Sequence, residues 1–232
     1  ATVWNPAVDP LLPAPFTADD PAGKARCKSA LQRELGLTRA AGTPLFCVVS
    51  RLTEQKGLHL VLEALPRLVE QGAQFALLGS GDAALEAAFR AAAEADPAAV
   101  AVRIGYDEPF AHRLIAASDV IMVPSHYEPC GLTQLYGLAY GALPLVRRVG
   151  GLADTVADAR LETLDDDATG FVFEPFTAEA LEATIRRALA LYRRRADWKL
   201  VRQRGMHQNF GWDAAASRYM ALYGILAPHS AL

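Results

Sequence analysis

The chemically most suggestive residues of this chain lie in one turn between Pro124 and Thr133. A short apolar run typical of a buried parallel strand ends at Pro124, and Gly131 opens a segment whose apolar residues repeat at helical spacing. Gly131 allows a ligand to approach the backbone, and the free amides of Leu132 and Thr133 would attract an anion such as phosphate. Glu128 would repel phosphate, so we expect it to face a neutral group that is rich in hydroxyls.

A diphosphate at the helix end and a sugar at the carboxylate would suit a nucleotide-sugar better than a plain nucleotide. The alternative is an ordinary strand-to-helix turn in which Glu128 is a solvated loop residue. The residues of the turn alone give the two interpretations comparable weight.

A pair of cations, Arg51 and Lys56, follows the first predicted strand and lies five residues apart across a strand-to-helix turn. A guanidinium fork and a mobile ammonium together can hold one diphosphate from two sides. They would also stabilise the charge that a nucleoside diphosphate gains as it leaves a sugar. Two solvated turn residues would be the usual explanation for such a pair.

Two further turns carry weaker signals. Gly79 and Gly81 permit close approach of a ribose or phosphate, and Asp82 is placed to cap the next helix, although a tight turn alone explains the glycines. This turn lacks the third glycine of a dinucleotide-binding fingerprint. Tyr106 follows another strand and could stack on a purine base, whereas a lone tyrosine is more often at the edge of a core.

Four further features are possible sites. Cys130 lies at a helix start, but no histidine is placed to make it a nucleophile, so its backbone amide is the expected ligand donor. Gly150 and Gly151 precede another predicted helix and could form a second anion site. The D-x-D spacing at 165–167 and the basic cluster at 193–204 are interpreted as a solvated loop and a polar helix face.

Composition limits the class of protein. The 232 residues are 52% hydrophobic and 21% charged, which favours one domain with one substantial core. A net charge of −3 gives no overall attraction to nucleic acid or to an anionic membrane. No apolar stretch approaches the roughly 18 residues of a spanning helix, and no secretory signal is recognisable. Three widely spaced cysteines argue against a disulfide framework and fit a reducing cytoplasm.

Predicted strands and helices alternate along the chain. After a proline-rich, extended lead-in, strands are expected at 45–49, 75–78, 100–104, in the run that ends at Pro124, and at 143–146 and 171–173. Helices are expected at 24–35, 57–69, 83–94, 110–117, from Gly131 onward, and at 152–159, 178–192, 198–204 and 212–226. This alternation predicts an α/β fold with a parallel, Rossmann-like sheet covered by helices on both faces. Ligands then bind at the carboxyl ends of the strands, where the charged turns lie.

The stretch Glu128-Pro129-Cys130-Gly131-Leu132-Thr133-Gln134-Leu135 resembles the signature of the C-terminal domain of bacterial glycogen synthases and plant starch synthases. The segment from Arg51 to Gly57 also matches the R-x-x-x-Q-K-G pattern of that family. Further similarity at Trp4-Asn5-Pro6, Gly105-Tyr106 and Gly150-Gly151 extends the resemblance over nearly the whole chain.

This resemblance implies the C-terminal half of a two-domain GT-B glycosyltransferase. Residues 1–21 would be an interdomain lead-in, 22–210 the nucleotide-sugar-binding domain, and 211–232 a terminal helix that packs towards an N-terminal domain without a counterpart here. The implied catalytic residues are Arg51, Lys56 and Glu128. The implied nucleotide-sugar site contains Arg51, Lys56, Gly79, Tyr106, Glu128, Cys130, Gly131, Leu132 and Thr133.

The implied activity is retaining transfer of glucose from ADP-glucose to the non-reducing end of an α-1,4-glucan, with no metal and no cofactor. The glucan would bind through the missing domain, so we expect this chain alone to bind ADP-glucose or ADP but to transfer no glucose. Self-association through the terminal helix and a location in the cytoplasm, or the plastid of a plant, are also expected. The alternatives are a related transferase that uses UDP-glucose or another acceptor, and a non-catalytic Rossmann-type domain that binds NAD.

Overall fold

The computed structural model describes residues 3–226, apart from the side chains of six residues in the last helix. Six strands alternate with helices within this range. The strands are β1 (Leu45–Val49), β2 (Gln74–Gly79), β3 (Val100–Ile104), β4 (Val120–Val123), β5 (Leu143–Arg147) and β6 (Phe171–Phe173). The helices are α1 (Ala22–Leu35), α2 (Leu58–Glu70), α3 (Ala83–Ala95), α4 (Glu108–Ala117), α5 (Thr133–Ala139), α6 (Gly150–Thr155), α7 (Ala178–Arg193), α8 (Arg195–Met206) and α9 (Trp212–Leu226). A 3-10 turn, Glu54–Lys56, precedes α2.

The six strands form one parallel sheet in the order β3-β2-β1-β4-β5-β6. Cys47 of β1 pairs with Ala76 of β2 on one side and with Ile121 of β4 on the other. The chain therefore proceeds outward from β1 in one direction and from β4 in the other. The switch point between β1 and β4 opens a crevice at their carboxyl ends, where open α/β sheets bind ligands.

Hydrophobic clusters cover both faces of the sheet, as the alternating pattern predicted. Phe46 and Val48 of β1 point to the face that packs against α2 and α7, whereas Leu45 and Cys47 point to the face covered by α1 and α4. Strand residues alternate between faces because side chains project with a period of two. The sheet is therefore a rigid support for the loops at its carboxyl edge.

The lead-in differs from the predicted extended segment. It forms successive turns, because the side chains of Asn5 and Asp9 accept hydrogen bonds from backbone amides two residues onward. Asp9 is buried, accepts a hydrogen bond from the Tyr140 hydroxyl at 2.7 Å and lies 2.7 Å from Nδ1 of His112. Buried contacts therefore hold the lead-in against α4 and the end of α5.

Three helices in the second half of the chain also have bounds that differ from expectation. The helix predicted at 198–204 is α8, which is longer at both ends and spans Arg195–Met206. The helix predicted at 152–159 is α6, which begins at Gly150 and ends at Thr155 because Val156 is extended. Gly131 has a positive φ of 74°, so it belongs to the turn and α5 begins two residues later. The terminal helix α9 has the predicted bounds and exposes Met220 and Leu222. None of the helices within residues 3–226 combines the length and apolar character that a membrane span requires.

Candidate functional site

Eight of the nine predicted site residues line two adjoining hollows at the carboxyl edge of the sheet, where they lie at or after the ends of four different strands. The large hollow has a volume of about 350 Å³, and Arg51, Gly79, Tyr106 and Thr133 contribute to its wall. The small hollow has a volume of about 70 Å³ and is lined in part by Lys56, Glu128, Gly131, Leu132 and Thr133. Val49, Ser50 and Thr133 line both hollows, so the two are continuous.

An ion pair dominates the small hollow. Nζ of Lys56 lies 2.5 Å from Oε2 of Glu128, and the Ser125 hydroxyl donates to the same oxygen at 3.1 Å. The pair forms because Gly57, with a φ of 69°, packs so closely on the end of β4 that a Cβ there would lie 2.1 Å from the Pro124 carbonyl oxygen. The 3-10 turn after β1 is thereby held against the loop after β4. Glu128 is consequently not a solvated loop residue, since only 9% of it is exposed.

Gln55 connects the same two loops. Its carbonyl accepts a hydrogen bond from the His126 amide at 2.8 Å, and its side-chain amide donates to the Tyr127 carbonyl at 3.0 Å. These bonds join segments that are 72 residues apart in sequence. Lys56 and Glu128 therefore sit on loops whose relative position is fixed by backbone contacts as well as by their own charges.

The amides expected to bind an anion are free to do so. The Leu132 and Thr133 amides have no acceptor within the described part of the chain. Gln134 is fully buried beneath them and donates to the carbonyls of Cys130 and Gly131, both at 3.1 Å. This side chain fixes the turn so that its first amides remain unpaired and line the small hollow.

The large hollow has one cation and two aromatic walls. Arg51 is exposed and forms no ion pair with any residue in 3–226. Tyr106 is 88% exposed and stands at the rim, where its hydroxyl lies 3.3 Å from Glu108. Trp4 and Tyr136 also line this hollow and stack with ring centroids 4.0 Å apart, and Asp107 and Glu108 contribute two carboxylates to its wall. The hollow thus offers flat apolar surfaces beside a guanidinium, which suits a base and an adjoining phosphate.

The glycine turn after β2 has a structural explanation. A Cβ on Gly79 would lie 2.0 Å from the Ser50 carbonyl oxygen, so this glycine lets β1 and β2 end side by side. Asp82 caps α3 as predicted, accepting from the amides of Ala84 and Leu85 at 2.9 and 3.0 Å. The tight-turn interpretation therefore accounts for the glycine turn, while Gly79 also lines the large hollow.

The second anion site predicted at Gly150-Gly151 is not formed in the way expected. The Gly151 amide donates to the carbonyls of Glu128 and Pro129 at 3.2 and 3.1 Å. A Cβ on Gly151 would lie 2.1 Å from the Cys130 carbonyl oxygen. The second glycine therefore supports the loop that carries Glu128, and its amide is not available for an anion.

The remaining predicted residues lie away from the hollows. Cys130 lines neither hollow, and its exposed thiol donates weakly to the Gly131 carbonyl at 3.6 Å. The side chains at 165–167 are exposed, as expected for a solvated loop. His112 also lies outside both hollows, where it is buried between Trp4 and Asp9.

Sequence reasoning missed four residues that shape the site: Trp4, Gln55, Ser125 and Gln134. Gln55 lies inside the motif from Arg51 to Gly57, and Gln134 lies inside the motif from Glu128 to Leu135. Both residues could therefore have been identified from their motifs. Ser125 directly follows β4 and could have been found by its position. No local signal indicated that Trp4, in the proline-rich lead-in, would form a wall of the large hollow.

Comparison with protein-family models matches residues 36–200 to Glycosyl transferases group 1. The chain belongs to this family. The resemblance predicted from the motifs is also confirmed: a glycogen synthase from Leptothrix cholodnii is 67% identical over 221 residues, and one from Francisella philomiragia is 56% identical over 226. The matches cover 95% and 97% of this transferase chain but 45% and 47% of the relatives, so it spans about half their length.

Solved structures give the same result for the fold. The catalytic domain of starch synthase IV from Arabidopsis thaliana, bound to ADP and acarbose, is 35% identical with a TM-score of 0.88. The match covers 97% of this group 1 transferase chain and 47% of that structure. A sucrose-phosphate synthase from Thermosynechococcus elongatus is 25% identical with a TM-score of 0.62, covering 84% and 48%. The predicted fold class, a Rossmann-like sheet that is the C-terminal half of a GT-B glycosyltransferase, is therefore confirmed.

Proposed function

We propose that this chain binds ADP-glucose across the two hollows and supplies the donor half of a glycogen synthase. Two facts about its relatives support this: the two curated relatives described above are glycogen synthases, and the starch synthase IV structure holds ADP. The observation that carries the proposal is the Lys56–Glu128 pair in the small hollow, beside the free amides of Leu132 and Thr133.

The two hollows divide the ligand by its chemistry. The adenine would lie against Tyr106 in the large hollow, with the diphosphate between Arg51 and the amides of Leu132 and Thr133. The glucose ring would lie at the opening of the small hollow, with its hydroxyls directed towards the carboxylate of Glu128. Thr133 lines both hollows and is placed at the junction of phosphate and sugar.

The charges in the site match the charges that develop during transfer. As the glycosidic bond to the diphosphate breaks, the departing ADP gains negative charge while the sugar gains oxocarbenium character. Arg51, Lys56 and the helix-end amides stabilise the departing diphosphate. Glu128 stabilises the sugar cation electrostatically. Lys56 lies between the sugar and the diphosphate, and the carboxylate of Glu128 orients its ammonium towards the diphosphate. The protein's own cations fill the role of a metal in this proposal, so no metal or cofactor is required.

In the complete reaction the glucose would pass, with retention, to the non-reducing end of an α-1,4-glucan. The glucan and the remaining catalytic groups would come from an N-terminal domain, and this chain alone would bind the donor without elongating glycogen. We place the reaction in the cytoplasm, in keeping with the bacterial origin of the glycogen synthase relatives. Self-association through exposed apolar residues of α9 belongs to the same proposal.

Isothermal titration with ADP-glucose, ADP, UDP-glucose and NAD tests the proposal. ADP-glucose should bind with one site per chain, and Arg51→Ala and Lys56→Ala should each weaken it by about tenfold or more. Arg33→Ala, an exposed change on α1 that is far from both hollows in the fold, is the matched control and should leave affinity unchanged. Unaltered affinity in both site variants would remove the diphosphate assignment. Preference for UDP-glucose would select the related transferase, and preference for NAD would select the non-catalytic alternative.

A further inference from the structure

A basic cavity lies at the end of the sheet opposite the two hollows. It has a volume of about 460 Å³, is open to solvent, and is bounded mainly by the start of α1, the residues between α4 and β4, and helices α7 and α8. We call it the rear cavity. Its wall contains five cationic side chains: Lys24, Lys28, Arg195, Lys199 and Arg202.

Carboxylates do not balance these cations. Asp119 is engaged by Lys28 at 2.6 Å and by the Leu45 amide at 2.8 Å. Asp20, the other acidic residue of the wall, is exposed and accepts a hydrogen bond from the Ala22 amide. Four of the five cations therefore have no carboxylate partner within residues 3–226.

Arg202 is the most unusual of these groups. Its Nε is shut off from solvent and has no hydrogen-bond partner, and its guanidinium forms no ion pair with any described residue. Desolvation lowers its pKa, and the carboxylate of Asp119 offsets this only in part. Charged groups that are partly shut off from water are normally paired or hydrogen-bonded, so a half-buried guanidinium without a carboxylate partner at a cavity wall is a candidate ligand for an anion.

Lys24 is close to Arg202 and, like Arg202, has no carboxylate partner among the described residues. Its ammonium is buried and donates only to the carbonyls of Ala116 and Tyr140, at 2.9 and 2.8 Å. Its pKa is lowered from 10.5 to about 7, chiefly by burial; the carboxylate of Asp119 opposes this shift and the charge of Arg202 adds to it. An anion in the rear cavity would relieve the repulsion between these two cations.

We propose that the rear cavity binds a small multivalent oxyanion, either phosphate or a phosphate monoester. The planar guanidinium of Arg202 matches two phosphate oxygens, and Lys24 and Lys199 add point charges from neighbouring helices. The cavity exceeds the space of a single phosphate group, so a monoester with a small organic part fits. A chain of net charge −3 has no overall attraction to a nucleic acid, which favours a small anion as the ligand. The site is independent of the proposed function, because it uses none of the residues of the two hollows.

Calorimetric titration of the chain with inorganic phosphate and with methyl phosphate, against chloride at equal ionic strength, tests this site. Phosphate should bind in a saturable manner, and Arg202→Gln should weaken it about tenfold or more. Arg193→Gln, an exposed change outside the rear cavity, is the control and should have no effect. Lys199 is also exposed, so Lys199→Gln should not affect folding. This variant should lower the affinity for phosphate by a smaller factor than Arg202→Gln does.

Phosphate could also enter the diphosphate region of the hollows, and a titration of Arg51→Ala separates the two sites. Binding that survives Arg51→Ala and is lost in Arg202→Gln supports the rear cavity. The proposal is overturned if phosphate does not saturate, if chloride binds equally well, or if both Arg202→Gln and Lys199→Gln leave the affinity unchanged. Stronger binding of methyl phosphate than of inorganic phosphate would identify a monoester as the ligand.

Discussion

Replacing Lys56 with methionine should affect stability and ligand binding through two separable mechanisms. Methionine keeps much of the apolar stem and removes the charge, so Glu128 loses its partner at 2.5 Å. At an effective dielectric constant of about 20 the attraction of such a pair is about 7 kcal/mol, and desolvation of both groups offsets most of it.

The net cost should be smaller than for a fully buried pair. Removing one partner of a fully buried pair costs about 3–5 kcal/mol. Here the side chains of Lys56 and Glu128 retain 18% and 11% exposure, and Ser125 still donates to the carboxylate. We therefore expect Lys56→Met to lower the free energy of unfolding by about 2 kcal/mol, a fall of about 6 °C in a thermal melt.

The double variant Lys56→Met/Glu128→Gln separates pairing from ligand binding. A neutral amide has no unpaired charge, so the double variant should recover about 1–2 kcal/mol of the lost stability in urea titrations. ADP-glucose affinity should not recover, because both charges that we propose to bind the ligand are then absent. Full recovery of affinity would show that Lys56 acts only on Glu128. Unchanged stability in Lys56→Met would show that the pair contributes nothing to the fold.

Three further outcomes follow from the structure. Tyr106→Ala should reduce ADP-glucose affinity about tenfold in calorimetry without changing the melting temperature, whereas Tyr106→Phe should retain affinity, because the exposed ring supplies stacking alone. Gly151→Ala should lower the free energy of unfolding in urea titrations by about 1–3 kcal/mol, because the new Cβ would lie 2.1 Å from a backbone oxygen. Gly42→Ala is the neutral control, because no atom would lie closer than 3.9 Å to its Cβ. Burial is the main cause that lowers the pKa of Lys24 from 10.5 to about 7. Above pH 7 the unfolded chain therefore binds more protons at this residue than the folded chain does. The free energy of unfolding should consequently rise by about 2 kcal/mol from pH 7 to pH 9. Lys24→Met should abolish that rise; above pH 9 the raised pKa of Cys47 acts in the opposite direction.

The sequence predicted the sheet because its signals are local. Apolar runs of strand length alternate with amphipathic helices, and this pattern alone requires a parallel sheet covered on both faces. The edge that carries the site followed directly, since the carboxyl ends of parallel strands lie together. The sequence alone therefore predicts that Arg51, Tyr106 and Glu128 lie near one another.

Other features depend on strand order and could not be predicted locally. Lys56 and Glu128 meet only because β1 lies beside β4, which brings together residues 72 apart in the chain. The role of Gly151 depends on a loop from a neighbouring strand, and that of Trp4 on rings contributed by α4 and α5. The rear cavity combines α1 with α8, and nothing in either segment alone indicates a basic cavity.

The anchoring of the lead-in limits how this unit can move. Trp4 lies between aromatic rings and Asp9 is held by two buried hydrogen-bonding groups, so residues 4–9 travel with the sheet as one body. A domain that precedes Trp4 in a longer chain would have to pivot upstream of that indole. Such a pivot could swing an acceptor towards or away from the sugar while the pocket for the base keeps its shape.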